Sequence, residues 1–154
     1  MGSKNKPAIC FATAHASDRV SPFARINLTL PHPMSYRILI VDDDYDSCEL
    51  MKIYLANEGF AATVASDGNE GIEVAVKEKP DLIITDAKMP NLNGIDMTKQ
   101  LRSSSDFKRV PIIIVTGLGS GPQRAATEAG ADEVLTKPVS PTFLVSRIKH
   151  LLGM

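Results

Sequence analysis

Short apolar segments alternate five times with amphipathic segments along residues 34–154, and this alternation limits the possible folds most strongly. The predicted strands are Arg37–Val41, Ala61–Ala65, Asp81–Thr85, Pro111–Val115 and Glu133–Leu135. The predicted helices cover residues 45–57, 68–78, 94–104, 121–129 and 140–152. Five strand–helix repeats in so short a chain predict an α/β fold, a doubly wound parallel sheet with helices on both faces.

The first and last predicted helices carry their own signals. Cys48, Met51 and Leu55 recur at helical spacing and form one apolar stripe, so Cys48 is expected to be a packed thiol. Ser140 followed by Pro141 is typical of a helix start, since serine caps the free amides and proline fits the first helical position.

Residues 1–33 differ from the rest of the chain. They show no sustained period and carry four basic residues against one acidic residue. We expect residues 1–33 to be a disordered basic leader and residues 34–154 to form the folded domain, which should melt alike without the leader. A targeting or partner-binding arm is the alternative.

Polar residues gather where the predicted strands end. In parallel doubly wound sheets, ligands bind outside the carboxyl ends of the strands. The chain places acids after the first and third strands, a hydroxyl after the fourth and an amine after the fifth: Asp42, Asp43, Asp44, Asp86, Thr116 and Lys137.

These residue types suggest a chemistry. Clustered carboxylates without nearby cysteine or histidine favour Mg²⁺, and a carboxylate can attack phosphorus to form an aspartyl phosphate. Lys137 would supply a fixed ammonium for the incoming charge, and Thr116 a hydroxyl donor. Asp42 and Asp43 on their own fit helix capping as well as metal binding. Asp44 and Asp46 need no more than capping.

The stretches VDDD, DLIITDAKMPNLNG, IIIVTG and GADEVLTKP together resemble the receiver domain of two-component response regulators. The resemblance covers about residues 36–152 and is closest to stand-alone, chemotaxis-regulator-like receivers. It implies a flavodoxin-like strand order 2-1-3-4-5 and a Mg²⁺ cofactor.

The resemblance also implies a metal site. Asp43 matches the direct Mg²⁺ ligand, and Asp42 matches the partner acid that often acts through water. Lys88 matches the position whose backbone carbonyl binds the metal, and Asp86 contributes its carboxylate.

For phosphoryl chemistry, the resemblance implies that Asp86 is the phosphoacceptor. Thr116 and Lys137 match the switch hydroxyl and the lysine that pairs with phosphate, and Gly94 matches the glycine of the following loop. Val134 departs from the family, which usually has tyrosine or phenylalanine there. We therefore expect the signal to run through Thr116 and the glycine-rich loop Gly117–Gly121.

The resemblance implies a signalling switch rather than a metabolic enzyme. Asp86 would take phosphate from a phosphohistidine on a sensor histidine kinase or a histidine phosphotransfer protein, and an unidentified target would read the changed surface. A net charge of −1 gives no reason to expect nucleic acid or membrane binding, and two cysteines fit a cytoplasmic, reducing location.

Three alternatives compete with this interpretation. Asp42 and Asp44 form a D-x-D after a strand, as in haloacid-dehalogenase-type phosphatases, but the late acidic motif of that family would rest on Glu133 alone. A flavodoxin-like cofactor binder would need a phosphate loop where this chain has acids. An interaction module that works without phosphorylation stays open.

Overall fold

The predicted strand–helix repeats are present in the computed structural model, which describes residues 35–117 and 120–154. One five-stranded sheet has the order β2-β1-β3-β4-β5, with all neighbouring strands parallel. Its strands are β1 (Arg37–Val41), β2 (Ala61–Ala65), β3 (Leu82–Asp86), β4 (Ile112–Thr116) and β5 (Glu133–Thr136). The expected doubly wound fold and strand order are confirmed.

Within the described residues, five α-helices follow the strands in turn: α1 (Tyr45–Asn57), α2 (Gly68–Glu78), α3 (Gly94–Ser103), α4 (Ser120–Ala129) and α5 (Pro141–Leu151). Asp44 caps α1 by accepting from the Ser47 amide, and Ser140 caps α5 by accepting from the Phe143 amide. Both caps were expected from sequence. None of the helices in the described ranges is long and apolar enough to cross a membrane.

The structure corrects several predicted boundaries. Strands β3 and β4 begin and end one residue later than predicted, because the polar residues Asp86 and Thr116 are still paired in the sheet. Strand β5 extends to Thr136 for the same reason. Helix α3 ends at Ser103, and an unpredicted 3₁₀ turn (Ser105–Phe107) follows.

Apolar side chains cover both faces of the sheet. Ile38, Ile40 and Ile84 pack on the α1 and α5 side, where Cys48 and Leu55 of α1 are also buried. On the opposite side, Leu39, Val41 and Ile83 pack with residues of α2, α3 and α4. Each fully buried side chain of this size contributes about 1.5–3 kcal/mol. Burial on both faces explains why the central strands are continuous apolar runs.

Two sequence expectations fall outside the described residues. The proposed leader, residues 1–33, precedes them, and residues 118 and 119 of the glycine-rich loop lie in the gap between the two described ranges.

Candidate functional site

Three carboxylates meet at the carboxyl edge of the sheet. Asp42 and Asp43 directly follow β1, and Asp86 is the last residue of β3. Because β1 and β3 are neighbours, with Val41 paired to Thr85, these acids lie side by side. One oxygen from each of the three carboxylates lies within 4.8 Å of the others.

Asp86 is the acid of this cluster that forms an ion pair among the described residues. Its side chain is 12% exposed, and its Oδ2 accepts a hydrogen bond from Lys137 Nζ at 2.9 Å. Its Oδ1 accepts from the backbone amide of Lys88 at 3.2 Å. Both carboxylate oxygens therefore have fixed donors, and the side chain is oriented towards the other two acids.

Lys137 reaches Asp86 from β5, two strands away. Its backbone amide donates to Thr116 O at 2.8 Å, which fixes the residue just beyond the strand. The hydrogen bond to Asp86 is the main reason that the pKa of Lys137 is raised, with the charges of Asp86, Asp42 and Asp43 adding to it and burial opposing it. Lys137 therefore stays a cation in this position.

The surroundings of Asp42 disfavour its ionised form. Burial raises its pKa above the ordinary value, and repulsion from Asp86 and Asp43 adds to this effect. A hydrogen bond from the Asp44 amide to Asp42 Oδ1, at 3.0 Å, acts in the opposite direction. A cation between the carboxylates would remove the repulsion, which fits an all-oxygen site for a hard divalent metal.

Thr116 lies at the end of β4 and is almost fully buried, with 1% exposure. Asp86 pairs with Val115, so Thr116 follows one residue beyond the strand position opposite Asp86. Its hydroxyl donates to Gly117 O at a long 3.3 Å. The predicted hydroxyl thus lies at the correct edge of the sheet and makes only a weak hydrogen bond.

Gly94, the first residue of α3, packs closely against the end of β3. Its backbone amide donates to Ala87 O at 3.2 Å. A Cβ at this position would overlap the Asp86 carbonyl oxygen, and it would lie 2.7 Å from Thr85 Oγ1. Only glycine allows this close approach of the α3 start to β3.

The three acids and Lys137 stand beside a cleft of about 670 Å³ at the carboxyl edge, and Asp42, Asp86 and Lys137 line it. Apolar side chains from α1 and α5 also line it, among them Met51 and Leu144. Because Asp86 lines the cleft, its carboxylate can be reached from there.

Some site residues were not foreseen from sequence. Asp67, which follows β2 and was not among the predicted site residues, accepts a hydrogen bond from Asn91 in the loop after Asp86. The spacing from Asp67 to Glu70 is typical of a capped helix start and could have predicted the cap. The contact with Asn91 joins residues 24 positions apart, and no local signal predicts it.

Val134 occupies the position where the family usually has tyrosine or phenylalanine. Its side chain is half-buried and packs on the side of the core formed with α2, α3 and α4.

Known proteins are similar to this chain in sequence and in fold. Residues 38–149 match the family described as the response regulator receiver domain. The response regulator MprA of Mycobacterium ulcerans (strain Agy99) is 38% identical over 120 residues, which are 77% of this chain and 51% of that protein. The chain therefore spans about half the length of the curated relatives it matches.

Solved structures show the same fold. The response regulator receiver domain protein (CheY-like) from Methanospirillum hungatei JF-1 is 32% identical, with a TM-score of 0.72, over 77% of this chain and 94% of that one. The receiver domain of sensor histidine kinase PA1611 from Pseudomonas aeruginosa PAO1 is 26% identical, with a TM-score of 0.72, over 78% and 99%. That structure is described with a magnesium ion coordinated in the active site cleft.

Proposed function

This chain belongs to the response regulator receiver domain family, the phosphorylated switches of two-component signalling, and we propose that it accepts a phosphoryl group on Asp86. One observation carries the proposal: Asp86 lies between two further carboxylates and the ammonium of Lys137, which donates to it at 2.9 Å. A carboxylate in this setting can attack phosphorus while its neighbours neutralise the incoming charge.

The donor in this proposal is a phosphohistidine of a sensor histidine kinase or a histidine phosphotransfer protein. A carboxylate oxygen of Asp86 forms a bond to phosphorus as the phosphorus–nitrogen bond breaks, and the imidazole leaves with that electron pair. Lys137 then pairs with a phosphoryl oxygen, and Thr116 turns its hydroxyl from the weak contact with Gly117 to donate to another. The free energy for the switch comes from these new contacts, which the unphosphorylated chain lacks.

Mg²⁺ is the proposed cofactor. The carboxylates of Asp42, Asp43 and Asp86 would hold it together with the backbone carbonyl of Lys88, and oxygen donors of this kind suit a hard cation. When bound, the metal supplies the positive charge that lets a phosphoryl dianion approach three carboxylates. Burial raises the pKa of Asp42 and repulsion from Asp86 and Asp43 adds to the effect, and this repulsion supports the assignment.

We further propose that the domain is a switch and not a metabolic enzyme, so that it promotes only its own phosphorylation and dephosphorylation. The surface formed by α4, β5 and α5 would carry the signal to a downstream target of unidentified nature. Cys48 is a free, buried thiol, which supports a reducing, cytoplasmic location.

Phosphorylation by a small-molecule donor tests the function. Incubated with acetyl phosphate and Mg²⁺, the full chain should gain one phosphoryl mass, and Asp86→Asn should gain none. Asp46→Asn is the matched control, because Asp46 is an exposed acid in the first turn of α1 outside the site. Equal labelling of Asp86→Asn would contradict the proposal. A wild type that takes no phosphate yet binds a partner would favour an interaction module instead.

A further inference from the structure

Asp67 divides its two carboxylate oxygens between two separate tasks. Its Oδ1 accepts from the backbone amide of Glu70 at 2.9 Å and so caps α2. Its Oδ2 accepts from Asn91 Nδ2 at 2.8 Å. Only the first bond serves the helix that follows Asp67, since Asn91 belongs to the loop that leads away from Asp86.

A second contact holds the same two loops together. The backbone amide of Gly68 donates to Leu92 O at 2.9 Å. Gly68 is buried, and a Cβ there would overlap the Leu92 carbonyl and side chain. Asn91 itself has a left-handed backbone (φ 65°), which asparagine tolerates better than most residues. The chain thus turns at Asn91 and Leu92 directly against the start of α2.

The other end of this loop is fixed at the functional site. Ala87 N donates to Val115 O at 2.9 Å, and Lys88 N donates to Asp86 Oδ1 at 3.2 Å. Lys88 therefore lies between two anchored points, the sheet on one side and the contact with Asp67 and Gly68 on the other.

We propose that Asp67 and Asn91 act as positioning residues for the functional site: their hydrogen bond holds residues 87–93 in place and thereby keeps the Lys88 amide on Asp86. The site then depends on the loop after β2, a strand that supplies none of the residues Asp42, Asp43, Asp86, Thr116 and Lys137. The inference rests on the proposed function of Asp86. It adds that the site also requires the hydrogen bond between Asp67 and Asn91, which lies outside the carboxylate cluster.

Two substitutions break this contact from opposite sides while sparing the local structure. Asp67→Ser keeps a helix-capping oxygen, because serine caps as well as aspartate, but it cannot reach Asn91. Asn91→Gly keeps a residue that accepts the left-handed backbone and removes the amide. Asp67→Asn is the conservative rescue, since its oxygen can cap α2 while its nitrogen donates to a flipped Asn91 amide.

The first readout needs neither metal nor phosphate. In Mg²⁺-free protein, amide hydrogen exchange of Lys88 should be several-fold faster in Asp67→Ser and in Asn91→Gly than in wild type, and near wild type in Asp67→Asn. Exchange in the core of β1 and β3 should be unchanged in all three variants. Unchanged exchange of Lys88 in both disrupting variants would overturn the inference, and if one variant fails to fold, the other decides.

The second readout is Mg²⁺ affinity, followed by phosphoryl uptake. We expect a loss of roughly 10-fold in Mg²⁺ affinity in the two disrupting variants, the lower end of the range for residues that orient metal ligands. The double variant should lose no more than either single variant, because both remove one contact. If wild type gains no phosphoryl group, the proposed function fails; if wild type and both variants gain it equally fast, only the positioning role fails.

Discussion

At the scale of single residues, the site collects like charges that oppose folding. Asp42, Asp43 and Asp86 stand within 4.8 Å of one another with only Lys137 as a cationic partner among the described residues around them. The repulsion among these carboxylates destabilises the metal-free folded protein, and a bound cation would neutralise it. The sequence predicted all of these residues, because each directly follows or ends an apolar strand of recognisable pattern.

Removing the charge of Asp42 should stabilise the metal-free protein. Burial and repulsion raise the pKa of Asp42, so its ionised form opposes folding at neutral pH, and the penalty shrinks as pH falls through the raised pKa. Asp42→Asn keeps the oxygen that accepts from Asp44, and in EDTA at pH 7 it should melt a few degrees above wild type. The gain is modest because solvent screens a half-exposed group, and it should vanish below the ordinary pKa of 3.8. A lower melting temperature at pH 7 would contradict this account.

The same acids should rank differently in a Mg²⁺ titration. Asp43 is exposed, and the family resemblance implies that it is the direct Mg²⁺ ligand. Asp43→Asn should therefore lose more Mg²⁺ affinity than Asp42→Asn, measured by titration calorimetry at pH 7. An equal loss of Mg²⁺ affinity in both variants would contradict the assignment of Asp43 as the direct ligand and Asp42 as the water-mediated one.

At the scale of elements, Arg102 of α3 connects several segments at the amino edge of the sheet, which is opposite the site. Its guanidinium donates to three backbone carbonyls and to Asp132, which in turn accepts from the Ile112 amide. The three carbonyls belong to Phe107, Val110 and Gly130. Arg102 thus joins the end of α3 to the segments that lead into β4 and β5. An arginine at the end of an amphipathic helix is normally a solvated residue, so sequence gave no sign of this role.

Arg102→Met should destabilise the fold without altering the site. Methionine keeps the apolar stem, but three partly buried carbonyls and Asp132 lose the guanidinium as a donor, which costs roughly 2–4 kcal/mol. Arg124→Met is the control, because its ion pair with Glu128 is exposed on both sides and should change stability by under about 1 kcal/mol. Urea denaturation measures both variants. Equal effects would show that Arg102 is no more than a surface charge.

At the scale of the whole molecule, the carboxyl and amino edges of the sheet have different roles. The carboxyl edge carries Asp42, Asp43, Asp86 and Lys137, whereas at the amino edge Arg102 holds the segments that lead into β4 and β5. The fold was predictable because continuous apolar runs such as Ile38–Val41 and Ile112–Val115 are typical of strands buried on both faces of a sheet. This signal is local and does not depend on which residues the strands later contact. The 3₁₀ turn and the contact between Asp67 and Asn91 were not predictable, because they depend on residues brought together only by the completed sheet.

The central claim is that Asp86, and not another acid of the cluster, carries the phosphoryl group. Borohydride reduction of the acyl phosphate marks the modified residue, and tryptic mass spectrometry then separates residues 78–88, which contain Asp86, from residues 38–52, which contain Asp42 and Asp43. We expect the reduced residue at position 86 alone. Reduction at Asp42 would contradict the account and favour a phosphatase whose nucleophile follows the first strand.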